Sequence, residues 1–226
     1  MRLISRGESN PKTAKSAEYG YLTGGLHLAP HISSGFQVCA SASPGCSSKE
    51  SGCLFYQGRG RMTMVQQARI RKTRLYFERR EEFLADLVKD IASIERRAVK
   101  NNLKPCVRLN VLSDIRWERH GIMEQFPSVT FYDYTKHKNR KRLPKNYSLT
   151  FSRSEVSTNA DLDKAISNGM NLAVVFRDEL PSIWHGLPVI DGTTHDLRFL
   201  DPSPCIVGLV AKGTAKKDKS GFVVSP

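Results

Sequence analysis

The chain lacks any apolar run long enough to cross a bilayer as a helix. Its first residues, MRLISRGESNPKTAKS, place no apolar core behind their basic positions. This is not the pattern of a secretory signal, and the protein is expected to stay in the cytoplasm of the cell that makes it. No G-x-G-x-x-G turn occurs, which weighs against a dinucleotide-binding sheet. Acidic residues are in short supply: 22 Asp and Glu stand against 35 Lys and Arg, giving a formal net charge of +13. That excess favours an anionic, nucleotide-like ligand or nucleic acid, although charge alone does not choose between them. The five cysteines are odd in number and are not spread as a disulfide framework. At 226 residues the chain has no need of disulfides to stabilise a core.

The pattern of the chain is that of an α/β domain. Residues 1–18 are polar and read as a flexible N-terminal arm. Tyr21–Ala29 (YLTGGLHLA) is the first strand candidate, followed by a long Ser-, Gly- and Cys-rich loop. From Met64 to Lys100 the spacing of Leu84, Leu87, Val88, Ile91, Ile94 and Ala98 draws one apolar stripe on a helix, with a break expected between Phe77 and Glu82. Further strands are expected at 105–112, 129–134, 147–152, 171–176, 189–191 and 205–211, with helices at 120–126 and from Ser157 to Asn168. Strands alternating with short helices and connections argue for parallel pairing. Two builds follow: an incomplete TIM-type barrel with a cysteine-bearing loop after its first strand, or an open parallel α/β sheet. The domain is expected to span 19–213, with 214–226 as a basic C-terminal tail.

In parallel α/β sheets ligands bind beyond the carboxyl ends of the strands, so the residues found there are the candidates for chemistry. They are Asn110 and Asp114 after the second strand, Asp133, Tyr134 and Lys136 after the third, and Ser152 and Glu155 after the fourth. Arg177, Asp191 and Lys212 follow the last three. Loops are polar in any protein, and many of these residues need be no more than solvated caps. Asn110 and Asp133 stand out because each interrupts an apolar run, where burial would force it to find a partner. Asn110, Asp114, Asp133 and Glu155 are the candidates to hold a substrate or cosubstrate by hydrogen bonds, and Lys136 and Arg177 to meet its charge. Arg59, between two glycines ahead of the basic helix, is a candidate phosphate contact.

Cys39, Cys46 and Cys53 follow the first strand in the spacing C-x6-C-x6-C. Three thiolates suit an iron–sulfur cluster with one open position, or zinc if His27, His31 or Cys106 completes the set. Free cysteines also serve as small buried hydrophobes, so a loop without metal stays open. Asp114 and Asp133 with a divalent ion would make a hydrolase, but no characteristic spacing supports it.

The phrases GYLTGGLHLAP, SGFQVCASASPGC, GCLFYQGRGRM, VQQARIRKT, VRLNVLSDIRWE, FPSVTFYDYTK, YSLTFSRSE, LAVVFR, VIDGTTHDLRFLDP and IVGLVAKGTAKKDKSGFVV resemble the gene product 88 family of phage proteins. The resemblance runs over nearly the whole chain and carries no established activity; it implies a phage or mobile-element protein in the host-cell cytoplasm. The family pattern has its second and third cysteines closer, as in G-C-x3-C-L, and an insertion of three residues accounts for the SSKESG here. The layout is more distantly similar to radical-SAM partial barrels, which carry three cysteines after the first strand. That likeness implies a four-iron cluster binding S-adenosylmethionine, although the C-x3-C-x2-C spacing of those enzymes is absent. Two functions follow as expectations: an iron–sulfur enzyme acting on a nucleotide or nucleic acid, or a non-catalytic nucleic-acid-binding protein whose cysteine loop is structural or inert.

Overall fold

The computed structural model describes residues 1–6, 15–47 and 52–226. Its strands are β1 (Ile4–Arg6), β2 (Tyr21–Leu26), β3 (Lys104–Arg108), β4 (Thr130–Thr135), β5 (Tyr147–Ser152), β6 (Asn171–Phe176), β7 (Ile183–Trp184), β8 (Leu187–Asp191), β9 (Ile206–Val210) and β10 (Val223–Val224). The order across the sheet is β1-β2-β3-β4-β5-β6-β9-β8-β7, with β10 also on β6. All neighbours from β2 to β8 run parallel, and only the outermost pairs, β1–β2 and β7–β8, are antiparallel. The sheet is therefore open and mostly parallel, and it does not close into a barrel. The expected strands all form, with their ends adjusted by a few residues.

The helices are α1 (His31–Ser34), α2 (Pro44–Ser47), α3 (Thr63–Glu78), α4 (Arg80–Lys100) and α5 (Asn159–Ser167). The long helical stretch breaks at Arg79, which leaves the helical region with φ −139° and ψ 60°. There the Arg80 guanidinium lies 4.5 Å from the centre of the Tyr76 ring. On α4, Phe83, Leu87, Ile91, Ile94 and Ala98 are buried, at the three- and four-residue spacing of one helical face. Helix α5 opens on a capping box between Thr158 and Asp161. It ends before Gly169, whose φ of 80° suits a residue without a Cβ. The helix expected at 120–126 is instead two 3-10 turns, Trp117–His120 and Met123–Gln125, parted by the left-handed Gly121.

The two faces of the sheet differ because side chains alternate along each strand. Leu22 and Leu26 of β2, Val107 of β3, Phe131 of β4, Leu149 and Phe151 of β5, and Leu172, Val174 and Phe176 of β6 join α4 and α5 residues in one core. The register puts Thr23, Cys106, Arg108, Tyr132, Tyr134, Thr150 and Ala173 on the opposite face. That face is covered by the β8–β9 connection, whose Leu197 packs with Cys106 and Tyr132, and whose Phe199 meets Tyr21 and Tyr132 edge-on.

Both chain ends are more ordered than a polar arm and a basic tail would be. Leu3 and Ile4 are buried, and their amides donate to Asp90 at 2.6 and 2.9 Å, which fixes β1 on the edge of the sheet. Residues 7–14 of the expected arm lie outside the described residues. At the other end β10 pairs with Val175 and Phe176, where β5 no longer does, and so satisfies backbone groups that β5 leaves open. A few apolar residues in each polar segment, Leu3 and Ile4 at one end and Val223 at the other, anchor it to the core.

The helix-side core makes a direct forecast. Replacing the fully buried Ile91 with Ala should lower the unfolding free energy by about 2–5 kcal/mol. The exposed Val99 on the same helix should tolerate Ala within about 0.5 kcal/mol. Urea denaturation midpoints of the two variants would separate these outcomes.

Candidate functional site at the strand ends

The cysteine loop folds back over the carboxyl ends of β3, β4 and β5. The Asp114 amide donates to the Val38 carbonyl at 2.8 Å, and the Cys39 thiol lies 3.5 Å from the Leu112 carbonyl, so the loop is laid against the β3 exit. The β5 exit holds it from the other side. Glu155 accepts from the Ser43 hydroxyl at 2.8 Å and from the Gly45 amide at 2.7 Å. The Ser43 oxygen is in turn 3.6 Å from the Cys46 sulfur. Ser41 reaches His137 Nδ1, at the β4 exit, at 3.1 Å.

Two carboxylates and one ammonium frame this region. Asp114 accepts from the Thr135 hydroxyl and the Lys136 amide, each at 2.8 Å, with the Arg140 guanidinium 3.6 Å away. Arg140 is itself buried and pairs with Glu118 at 2.7 Å. Among the described residues, the hydrogen-bond contacts of the Lys136 ammonium are with Ser152, at 3.4 Å from its carbonyl and 3.5 Å from its hydroxyl. Burial pulls Lys136 below the ordinary lysine range, opposed by the nearby Cys46, Glu155, Asp114 and Cys39, which favour its charged form.

The three thiols of the loop feel one another. Burial pushes Cys39 up to about 12, with further upward pressure from Asp114, Cys53 and Cys46. Burial also raises Cys53, while the nearby Arg69 works the other way. Arg69 lies 5.6 Å from the centre of the Phe55 ring and donates to the Phe55 carbonyl at 3.3 Å. The described residues contain no group of three His, Cys, Asp or Glu side chains arranged to hold a metal ion. Residues 48–51, which join Cys46 to Cys53, lie outside the described residues. His27 is half-buried and lowered to about 3, first by desolvation and then by Arg69 and Lys72; its Nδ1 faces Ser5 at 3.2 Å.

Asp114, Lys136, Ser152 and Glu155 thus gather with the cysteine loop, and the remaining candidates stand elsewhere. The Asn110 side chain closes a turn: its oxygen accepts from Ser113, from the Ile115 amide and from Trp117 Nε1, while its amide donates to the Ile115 carbonyl. Asp133 sits on the helix-side face between the Asn110 amide, at 2.8 Å, and the Tyr147 hydroxyl, at 3.1 Å. Tyr134 lies on the other face, with the Arg108 guanidinium 5.2 Å from its ring centre. Arg177 donates to the Lys216 and Asp218 carbonyls of the C-terminal segment. Asp191 accepts from the Thr193 amide and hydroxyl at 2.7 Å each. Lys212 is exposed, and Arg59 is exposed on the 3-10 turn Gly58–Arg61.

Several participants carry no sequence signal of their own. Phe222 lies in a lysine-rich tail, yet its ring centre is 5.2 Å from the Lys136 ammonium. Arg69 is one of many cations on α3. Arg108 and Asp196 form a largely buried ion pair on the sheet face that the β8–β9 connection covers, and Arg198 and Asp201 stand 3.3 Å apart in the same connection.

Comparison with known proteins places the whole chain. The model of the family described as Gene product 88 matches residues 2–226. The chain belongs to the Gene product 88 family. No curated protein and no solved structure matches it. The membership agrees with the phrases on which the resemblance rests, which include both the cysteine loop and the strand ends that receive it. No helix among the described residues is long and apolar enough to cross a membrane.

Asp133 gives this Gene product 88 member a pH signature. Burial pushes its carboxyl up to about 7, against Arg108, the Asn110 amide and Tyr147, which all favour the anion. A raised acid binds its proton more tightly in the native than in the unfolded chain. Its contribution is complete at low pH and is lost as pH rises through the folded value. Stability should therefore fall between about pH 4 and pH 7 in the wild type. The slope should be shallower in Asp133→Asn, compared by thermal melts across that window. Equal slopes would remove Asp133 as the source.

Proposed function

We propose that this protein is an iron–sulfur enzyme of the radical-SAM-like kind, of phage or mobile-element origin, acting on a nucleotide or nucleic acid. The observation that carries this reading is that one loop carrying Cys39, Cys46 and Cys53 folds over the ends of β3, β4 and β5, where the half-buried Lys136 stands near Cys39 and Cys46. The donors suit the group in kind, three soft sulfur ligands from one loop, but the described residues do not hold them together as a ready-made three-ligand group, so the loop would have to draw them in on loading. The run β2-β3-β4-β5-β6, parallel and in chain order, is what the first strands of a partial barrel would have, and we read the sheet as an arc of that type.

Cys39, Cys46 and Cys53 would hold the cluster. When bound, it would supply an electron to S-adenosylmethionine coordinated at the open position. The chain's own residues prepare the place. The thiols must lose their protons to become ligands, and burial opposes this at Cys39 and Cys53. Arg69, beside Cys53, favours its thiolate form, and Cys46 lies close enough to Lys136 to favour the charged ammonium. Glu155 orients the loop through Ser43 and Gly45, and Asp114 fixes the backbone from which Lys136 projects. Neither carboxylate needs a catalytic role for this, since each has backbone and hydroxyl donors already.

Protein purified and reconstituted without oxygen should be brown, with several irons and matching sulfide per chain, and Cys46→Ala should lose the chromophore. A variant with unchanged absorption would reject Cys46 as a ligand, and one zinc per chain would turn the loop to a structural role.

A second reading has its own observation. Arg61, Arg71 and Arg74 are all exposed along α3 and the turn before it, with no acid on that helix until Glu78. A polyanion lying along this face would give salt-sensitive binding through counterion release. If the metal-free chain binds an oligonucleotide and Arg71→Glu with Arg74→Glu flattens the salt dependence, binding rather than catalysis becomes the function. Salt dependence unaltered by these changes would remove α3 from that role.

A further inference from the structure

The C-terminal segment lies over the cysteine loop and covers the Lys136 ammonium at the β4 exit. Three sets of contacts hold it there. Val223 and Val224 pair with β6. Arg153 donates to the Gly221 carbonyl and, at 3.2 Å, to that of Phe222. Arg177 donates to the Lys216 and Asp218 carbonyls at 3.1 and 3.0 Å. Asp218 orders the turn by accepting from Ser220 and from the Val223 amide. These bonds deliver the Phe222 ring to 5.2 Å from Lys136 Nζ. The fit with the loop is close: a Cβ at Gly45 would lie 2.5 Å from Phe222 Cβ and 2.9 Å from Ser220 Oγ.

Lys136 is poorly satisfied in this arrangement. Its contacts with Ser152 are at the long limit of a hydrogen bond, and no carboxylate pairs with it among the described residues. An ammonium carries three donors, and the face of an aromatic ring is a weak substitute for an anion. The segment that covers it is itself cationic, with Lys212, Lys216, Lys217 and Lys219 all exposed. An anion approaching this end of the sheet meets that field first.

We propose that Lys136 and Ser152 form the anion-binding subsite of the strand ends, receiving a phosphate-like group of the substrate, and that Phe222 is its gate, occupying Lys136 until the anion displaces it. This rests on the reading of the strand ends as a substrate site and names the part of the substrate they hold. The anionic group exchanges a cation–π contact for a charge-assisted hydrogen bond, the stronger of the two at this half-buried ammonium. The C-terminal segment then swings with Phe222, released from a two-residue strand pairing and a handful of backbone acceptors.

Inorganic pyrophosphate is a suitable probe, titrated by calorimetry into the full chain as purified. Phe222→Ala should bind it about tenfold more tightly than the wild type, because the ring no longer competes. Phe222→Leu, which keeps apolar packing against Gly45 and removes the aromatic face, should fall between them, and it serves if the Ala variant does not fold. Adding Lys136→Met to either variant should abolish the gain. Two results would each overturn the proposal: no tighter binding in the Phe222 variants, or tighter binding that survives loss of Lys136. Neither depends on iron, so an iron-free protein that binds pyrophosphate in this pattern would refute the cluster and keep the subsite. A brown protein in which neither Phe222 variant binds more tightly would do the reverse.

Discussion

The alternation of side chains along parallel strands is the constraint on which the rest of this molecule depends. It gives the sheet one face of Leu, Val, Phe and Ile, which α4 and α5 cover, and a second face that carries Thr23, Arg108, Tyr132, Tyr134 and Thr150. The polar face is costly to bury unless its groups find partners. The β8–β9 connection meets that need, placing Asp196 beside Arg108 and bringing Leu197 and Phe199 against the aromatic residues. The same parallel direction sends every strand from β2 to β6 out at one end, so the loops that follow them must share a small area. The cysteine loop lies there because β3 and β5 offer it acceptors and donors that the other end does not.

At that end the electrostatics are a standoff among groups that would each prefer another state. Partial burial opposes the ionising of Cys39 and Cys53, and it opposes Lys136 keeping its proton. The nearby Cys46 favours the charged form of Lys136. Asp114 and Glu155 add negative charge but are held by hydroxyls and backbone amides, which compensate them without neutralising Lys136.

Much of the fold was legible from periodicity. The α4 stripe, the break before Arg80, the start of α5 and the parallel strands β2 to β6, β8 and β9 follow from apolar spacing and cap residues, which are local signals, whereas the parallel β10 is hidden in the basic tail. The candidate site was legible only in part. Asp114, Lys136, Ser152 and Glu155 were found because strand ends converge in parallel sheets, whatever the residues. Asn110 and Asp133 drew notice because they interrupt apolar runs, and that signal reports burial rather than chemistry. The buried partners they imply exist, in a turn and between neighbouring strands. Nothing local distinguishes Phe222 within its lysine-rich tail, or Asp196 in its loop, because their roles arise from pairings with residues 86 and 88 positions away. The edge strand β1 was hidden for a related reason: two apolar residues in a polar segment are too few to show a period.

The position of β10 joins the fold to the site. Strands β5 and β6 are paired only as far as Ser152 and Ala173, and beyond that point β6 would present unpaired backbone groups. The chain could cover such a gap with a loop, but here it inserts its own last strand, at Val175 and Phe176. Two residues of pairing hold an element weakly, since little apolar area goes with them and local opening is easiest where such contacts are few. The segment carrying Phe222 is therefore attached firmly enough to have a defined place over Lys136 and loosely enough to leave it. A longer β10 would lock the strand ends shut, and its absence would leave the cysteine loop exposed to solvent. The separation of β5 from β6 thus creates both the vacancy that the C-terminal strand fills and the opening through which a ligand would reach Lys136.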